Sequence, residues 1–269
     1  MLKQRALSAI VFVPLVLVLA FLGGLPFELF WTAVLAFAGF EFVRMARGAG
    51  YQLSYFLTIG LIGLIALLRL NYDMPVDNVI LPAIFFISAG YGLWQYESGV
   101  EKALWNAILH IFAAIYVGVL GSFAFSMNNG WLENNWWLVV TISLVWLVDA
   151  GAYLIGSRFG KTTVLPRLSH KKTLEGFLGG TVVGILSGLL MGFLLGEMVP
   201  PLTPWTGALL GGIMGLAAFF GDAIMSLIKR TLGVKDAGKL LPGHGGILDR
   251  LDSMLWAFVI SVSIDMFLH

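Results

Sequence analysis

Apolar residues fall in long blocks along this chain, at roughly residues 7–22, 27–43, 53–70, 79–94, 103–126, 136–156, 176–196, 205–228 and 251–268. A helix needs about 20 residues to cross the hydrocarbon of a bilayer. Several blocks are shorter than that, yet together they fill nearly the whole chain and leave no room for a soluble domain. The pattern predicts an all-α, polytopic integral membrane protein of about nine transmembrane helices. Lys3 and Arg5 followed by the apolar run Ala6 to Phe21 have the charged and apolar regions of a secretory signal. No clean small-x-small cleavage site follows, so the segment is expected to remain as the first span.

The positions of the charges test the span count, because Lys and Arg collect in cytoplasmic loops. With the N-terminus cytoplasmic and nine spans, Lys3, Arg5, Arg44, Arg47, Lys102, Arg158, Lys161, Arg167, Lys171, Lys172, Lys229, Arg230, Lys235, Lys239 and Arg250 all fall inside, and only Arg69 falls outside. Fifteen against one is hard to obtain with the wrong number of spans. Composition agrees: 59% of residues are hydrophobic and 12% charged, against about 25% charged in soluble domains. The expected location is a cell membrane, multi-pass, with the charged loops on its cytoplasmic side. A net charge of +1 says little as a total, and no nucleic-acid partner is expected. With no cysteine and four histidines, disulfides, thiolate metal sites and a cysteine nucleophile are excluded. Any metal must be held mainly by oxygen.

Gly176, Gly180, Gly184, Gly188, Gly192 and Gly196 recur at every fourth residue of the seventh span, with Gly207, Gly211 and Gly215 in the eighth. Small residues at this spacing let helix backbones approach closely. At about 100° per residue the row slips by about 40° per step. Six glycines therefore cannot all face one straight neighbour, and the seventh helix is predicted to pack against more than one partner, the eighth included.

Sixteen of the 31 charged residues lie in two stretches, seven between Asp149 and Glu175 and nine between Asp222 and Asp252. This divides the chain into an N-terminal membrane scaffold of five spans, residues 1–135, and a C-terminal catalytic half of four spans, residues 136–269, with cytoplasmic loops 157–175 and 229–250. Asp222, Ser226, Lys229 and Arg230 fall at i, i+4, i+7 and i+8, along one side of the eighth helix, and are expected to line one wall of a pocket. Asp222 is seven residues before Lys229, about 10 Å deeper, and an ionisable group at that depth marks function by default. Asp249 and Asp252 stand at the start of the ninth span, where a helix N-terminus tolerates negative charge.

The loop from Lys235 to Gly246 contains Pro242, Gly243, His244, Gly245 and Gly246, glycine-rich and basic enough to approach phosphates. Ser169-His170-Lys171-Lys172-Thr173 leads into the seventh helix, whose N-terminus can also hold phosphate. Cations in both loops and carboxylates at helix ends suit an anionic substrate bridged by magnesium, and chemistry of the phosphoryl- or nucleotidyl-transfer class.

The run Ser226-Leu-Ile-Lys229-Arg230, then Lys235-Asp236, Pro242-Gly-His244-Gly-Gly and Asp249-Arg250-Leu-Asp252 closely resembles the signature of the phosphatidate cytidylyltransferases, the CDP-diacylglycerol synthases. The match spans 27 residues with every polar position in register, while Ser169-His170 stands where the family often has Ser-Pro. The resemblance implies the reaction of CTP with phosphatidate to give CDP-diacylglycerol and pyrophosphate in phospholipid biosynthesis. It also implies magnesium, with a second cation nearby, and a homodimer. Asp222 and Asp249 correspond to the family's metal-binding carboxylates, and Asp252 is grouped with them. Lys171, Lys172, Lys229, Arg230, Lys235 and Arg250 are candidates to neutralise charge, with Lys171, Lys172, Lys229 and Arg230 placed in the catalytic set. Ser169, Thr173, Ser226, His244, Gly245, Gly246 and Asp149 are candidates for substrate contact. The rivals are a CTP-dependent polyprenol kinase, which would move the γ-phosphate, and a transporter, for which the polar groups lie too close to one face.

Overall fold

Two adjacent glycines open the bundle. Gly23 (φ 61°) and Gly24 (φ 56°) both adopt the left-handed backbone that side chains disfavour, so the chain reverses in a single step between helix α1 (Leu2–Leu22) and helix α2 (Gly24–Gly48). The computed structural model describes residues 2–71, 77–128, 135–199, 202–238 and 245–268. After α2 come α3 (Tyr55–Asn71), α4 (Asp77–Glu97), α5 (Ala103–Ala113), a π-helical segment (Ala114–Val119), α6 (Leu120–Ser126), α7 (Trp136–Phe159), α8 (Leu174–Leu195), α9 (Pro204–Thr231) and α10 (Leu248–Leu268). The segment from Ala103 to Ser126 is one continuous rod. The described residues therefore form nine rods that coincide with the nine apolar blocks, and they contain no extended strand, only an isolated bridge between Thr163 and Thr173. Six of the rods are long and apolar enough to cross a membrane by length and composition.

The helix starts follow local chemistry. Thr203 and Thr206 cap α9 reciprocally, the Thr206 N–H donating to Thr203 Oγ1 at 3.1 Å and the Thr203 N–H to Thr206 Oγ1 at 2.7 Å, with Pro204 at the first helical position. Thr173 caps α8 by accepting from the Gly176 N–H at 3.2 Å.

The glycine row on α8 divides between two neighbours, as its slip requires. A Cβ at Gly176 or Gly180 would press on Ala152, Gly156 or the Val148 carbonyl of α7, whereas one at Gly184 or Gly188 would overlap the carbonyls of Gly211 and Gly207 on α9. One at Gly192 would overlap the carbonyl of Thr203, the residue that caps α9. Gly207, Gly211 and Gly215 answer from α9, facing Gly188, Gly184 and Thr181. Helices α7, α8 and α9 thus form one tightly seamed wall.

The two halves of the chain share a core. The Trp31 ring of α2 stacks on Phe27 with centroids 6.0 Å apart and meets Phe258 of α10 edge-on at 5.3 Å, and its indole N–H donates to the Gly121 carbonyl at 2.8 Å. A second polar knot ties α5 to α4, where Asn106 Nδ2 donates to Gln95 Oε1 at 2.8 Å, and to the residue just before α3. His110 Nε2 accepts the Ser54 N–H at 3.0 Å, so Nδ1 carries the proton and donates to the Asn106 carbonyl at 2.7 Å. The loops and helix ends rich in Lys and Arg gather at one end of the bundle, where Arg44 reaches the Ala237 carbonyl, Lys102 the Gly50 carbonyl and Arg230 the Leu168 carbonyl.

Candidate active site

At that end lies a cavity of about 1280 Å³. Its polar part is built from three directions. Helix α9 contributes Asp222 and Ser226, one turn apart on the cavity side, with the Ser226 hydroxyl 3.4 Å from Asp222 Oδ1. Helix α10 contributes Asp249, Arg250, Asp252 and Ser253. The two helices meet almost backbone to backbone, since a Cβ on Gly221 would overlap the Asp252 carbonyl, and this approach brings Asp222 beside Asp252. Asp149, from α7, completes a group of three carboxylates whose fields act on one another.

The third contribution is the loop between α7 and α8, which folds back on itself. The Val164 N–H donates to the Lys172 carbonyl at 2.9 Å and the Leu174 N–H to the Thr162 carbonyl at 2.8 Å. Glu175 accepts the backbone N–H groups of Lys161 and Thr162 at 3.0 and 3.1 Å. So fastened, the loop sends Ser169, Lys171, Lys172 and Thr173 into the cavity. Lys172 Nζ sits 3.1 Å from Asp222 Oδ2. Burial pushes the Lys172 ammonium below the usual lysine range, and the charge of Asp222 opposes that shift.

Asp249 borders the same cavity but its carboxylate is already engaged. Oδ1 receives the Lys229 ammonium at 2.6 Å, and Oδ2 accepts the N–H groups of Ala237 at 2.9 Å and Gly246 at 3.0 Å. The wall expected from α9 therefore divides. Asp222 and Ser226 face the cavity, Lys229 turns behind it to Asp249, and Arg230 donates to the carbonyls of Leu168 at 3.5 Å and Val234 at 3.3 Å. The physical reason is that each cation finds an acceptor at the end of α9: Asp249 at the start of α10 for Lys229, and for Arg230 the carbonyls of Leu168 in the loop between α7 and α8 and of Val234 in the loop after α9. Lys235 is exposed, and Gly245 (φ 84°) and Gly246 shape the turn around Asp249 rather than lining the space. His244 and Lys239 lie outside the described residues.

Away from the charges the cavity continues as an apolar arm between α1, α2 and α7, walled by Phe12, Val16, Phe30, Trp31, Trp146 and Leu147. One continuous space thus joins carboxylates and ammonium groups to a greasy channel.

Among the described residues, no three Asp, Glu or His side chains converge closely enough to enclose an ion unaided. Magnesium does not require such a cage, since it usually takes one or two carboxylates and completes its shell with water and substrate phosphates. Asp222, with its side chain 48% exposed and carboxylates nearby on α7 and α10, fits that kind of partial site.

Two residues absent from the sequence-based set touch this region. Glu41 of α2 accepts the Leu248 N–H at the start of α10 at 2.9 Å, and Arg44 donates to the Ala237 carbonyl at 3.3 Å. The signal for Glu41 was an ionisable residue at the end of an apolar block, the same signal that singled out Asp222.

The chain matches the cytidylyltransferase family over residues 3–267. It is 31% identical to a phosphatidate cytidylyltransferase of Synechocystis, over 94% of this chain and 92% of that protein. It is 32% identical to one of Staphylococcus aureus, over 94% and 95%. A phosphatidate cytidylyltransferase of Mycobacterium bovis is 37% identical over 54% of this chain and 46% of its own length.

Proposed function

This chain belongs to the cytidylyltransferase family, and on that basis we infer that it transfers the cytidylyl group of CTP to phosphatidate, giving CDP-diacylglycerol and pyrophosphate for phospholipid biosynthesis. The observation that carries the reading is a cavity whose charged end suits phosphates and whose apolar arm suits lipid tails. A soluble nucleotide and a bilayer lipid need a meeting place of that kind.

In the proposed reaction an oxygen of the lipid phosphate attacks the α-phosphorus of CTP. A new P–O bond forms there as the bond from the α-phosphorus to the oxygen of the leaving pyrophosphate breaks. The nucleophile is already anionic, so neither a covalent enzyme intermediate nor a general base is required. What the reaction lacks is relief from repulsion between two polyanions. Lys171, Lys172 and Arg250 supply positive charge at the cavity, and Ser169, Thr173 and Ser226 supply hydroxyl donors to phosphate oxygens. Magnesium, when bound, neutralises phosphate oxygens and the departing pyrophosphate. Asp222 is the residue best placed to hold it, with Asp252 and Asp149 adding negative potential. Asp249 would join it only if Lys229 gave up its contact with the carboxylate. Lys229 and Arg230 act by shaping the loop beside the cavity. A second cation and a homodimer are further parts of this reading, as is a cytoplasmic active site in a bacterial inner membrane; the side is supported by the distribution of Lys and Arg, and the membrane by the bacterial relatives.

The test uses purified full-length protein, phosphatidate in mixed micelles, and CTP labelled at either the α- or the γ-phosphate, with and without magnesium. Label from the α-position should enter the lipid in a magnesium-dependent manner. Entry of γ-label alone would make the protein a kinase and refute the reading.

A further inference from the structure

We propose that Glu41 is a positioning residue for cytidylyl transfer: from α2 it fixes the turn between α9 and α10 in the shape that presents Asp249 to the cavity. The proposal rests on the functional reading above and extends it to a helix of the N-terminal half.

Glu41 is only 2% exposed. Its Oε2 accepts the Leu248 N–H at 2.9 Å, satisfying one of the N–H groups that a helix start leaves without an internal partner, immediately before Asp249 in the chain. The carboxylate is wedged between the two ends of the turn, because a Cβ on either Gly238 or Gly246 would overlap it. The turn closes tightly behind it, such that a Cβ on Gly246 would also lie 2.6 Å from the Gly238 nitrogen. One helical turn further along α2, Arg44 Nη2 donates to the Ala237 carbonyl at 3.3 Å, while the N–H of the same residue donates to Asp249 Oδ2 at 2.9 Å. Ala237 is thus gripped from both sides, by α2 on one and by Asp249 on the other.

Packing alone does not account for a carboxylate here. A leucine or methionine would fill comparable space without the cost of burying a charge or leaving Oε1, which has no hydrogen-bond partner among the described residues, unsatisfied. What an apolar side chain cannot do is accept the Leu248 N–H, and that bond ties the start of α10 to α2.

The experiment compares full-length wild type with Glu41→Gln, Glu41→Ala and, as a packing control on the same helix, Phe42→Ala, whose ring is fully buried against Phe112. Two quantities are read: kcat and KM with CTP and phosphatidate, and hydrogen exchange of residues 235–238 and 245–249. Loss of positioning without loss of substrate contact should lower kcat of Glu41→Ala by about 10- to 100-fold while KM for phosphatidate changes by less than about threefold. Exchange of the turn should quicken in the same variant. Glu41→Gln keeps an acceptor for Leu248 and should recover most of both. Phe42→Ala should lower the folded fraction but leave kcat per folded molecule and exchange in the turn near wild type. Wild-type kcat in Glu41→Ala, equal impairment in Glu41→Gln, or unchanged exchange would each overturn the proposal. If wild type turns over no CTP, the functional reading fails instead, and the exchange data still decide whether Glu41 holds the turn.

Discussion

The contact between Lys229 and Asp249 gives the sharpest quantitative test of how the turn after α9 is held. Lys229→Met removes the ammonium while keeping most of the stem, and leaves an Asp249 carboxylate that is 7% exposed. A buried charge deprived of its partner typically costs about 3–5 kcal/mol. Here Oδ2 keeps two backbone donors, from Ala237 and Gly246, so the carboxylate is not stranded. The loss should therefore fall nearer that of one charged hydrogen bond, about 1.5–3 kcal/mol. Asp249→Asn should cost at least as much, because the amide offers one acceptor oxygen to three donors and its NH2 faces a cation. In the double variant the ion pair is already gone, so the two costs should fail to add by about 1.5–3 kcal/mol. The assay is reversible unfolding of the purified proteins by SDS in mixed micelles, followed by circular dichroism. Costs that add within about 0.5 kcal/mol would show that the 2.6 Å contact carries no coupling, and the reasoning would fail.

Other expectations follow from the same geometry. Gly188→Ala should destabilise by at least about 1–3 kcal/mol in that SDS titration, because its methyl group would meet the Gly207 carbonyl, whereas Gly63→Ala, which meets nothing within 4 Å, should stay close to wild type. Asp222→Asn should abolish CTP-dependent product while the circular dichroism remains that of the wild type; full turnover in this variant would remove Asp222 from the metal assignment. Treatment with EDTA should stop product formation and added magnesium should restore it; turnover unaffected by chelation would count against a metal. Because the chain has no cysteine, single cysteines placed at Lys161 and at Arg69 should react with impermeant thiol reagents from opposite sides of oriented membranes, and labelling of both from one side would refute the orientation.

The sequence was informative wherever one physical constraint acted along the chain. Lipid demands long apolar helices, so nine blocks gave nine rods among the described residues, and the drift of a four-residue repeat foretold that α8 would pack against more than one partner, α9 included; that the other is α7 came from the structure. Helix ends were less legible. The block at 27–43 proved to be Gly24–Gly48, because polarity marks where hydrocarbon stops and not where backbone hydrogen bonding stops. In the site, sequence spacing placed Asp222 and Ser226 correctly on one face. It could not foresee that Lys229 and Arg230, on that same face, would be drawn away by Asp249 and by carbonyls of folded loops. Nor could it reveal Glu41 as a partner of the Leu248 N–H, which is 207 residues distant in the chain. The π-helical turn at Ala114–Val119 likewise had no local signature.

The seam of α7, α8 and α9 has a mechanical corollary. Backbones in direct contact have no side chains between them whose rotamers could absorb a shift, so these three rods translate together or not at all. The loop bearing Lys172 is rooted in that block, as is Asp222, and their spacing is insulated from bilayer thickness and lateral pressure. Across the apolar arm, the described part of α1 meets its neighbours through side chains, Phe12 against Phe30 of α2 and Phe21 against Trp136 of α7. On the proposed function, any widening needed to admit acyl chains of different bulk falls to the α1 side, leaving the charged end of the cavity undisturbed.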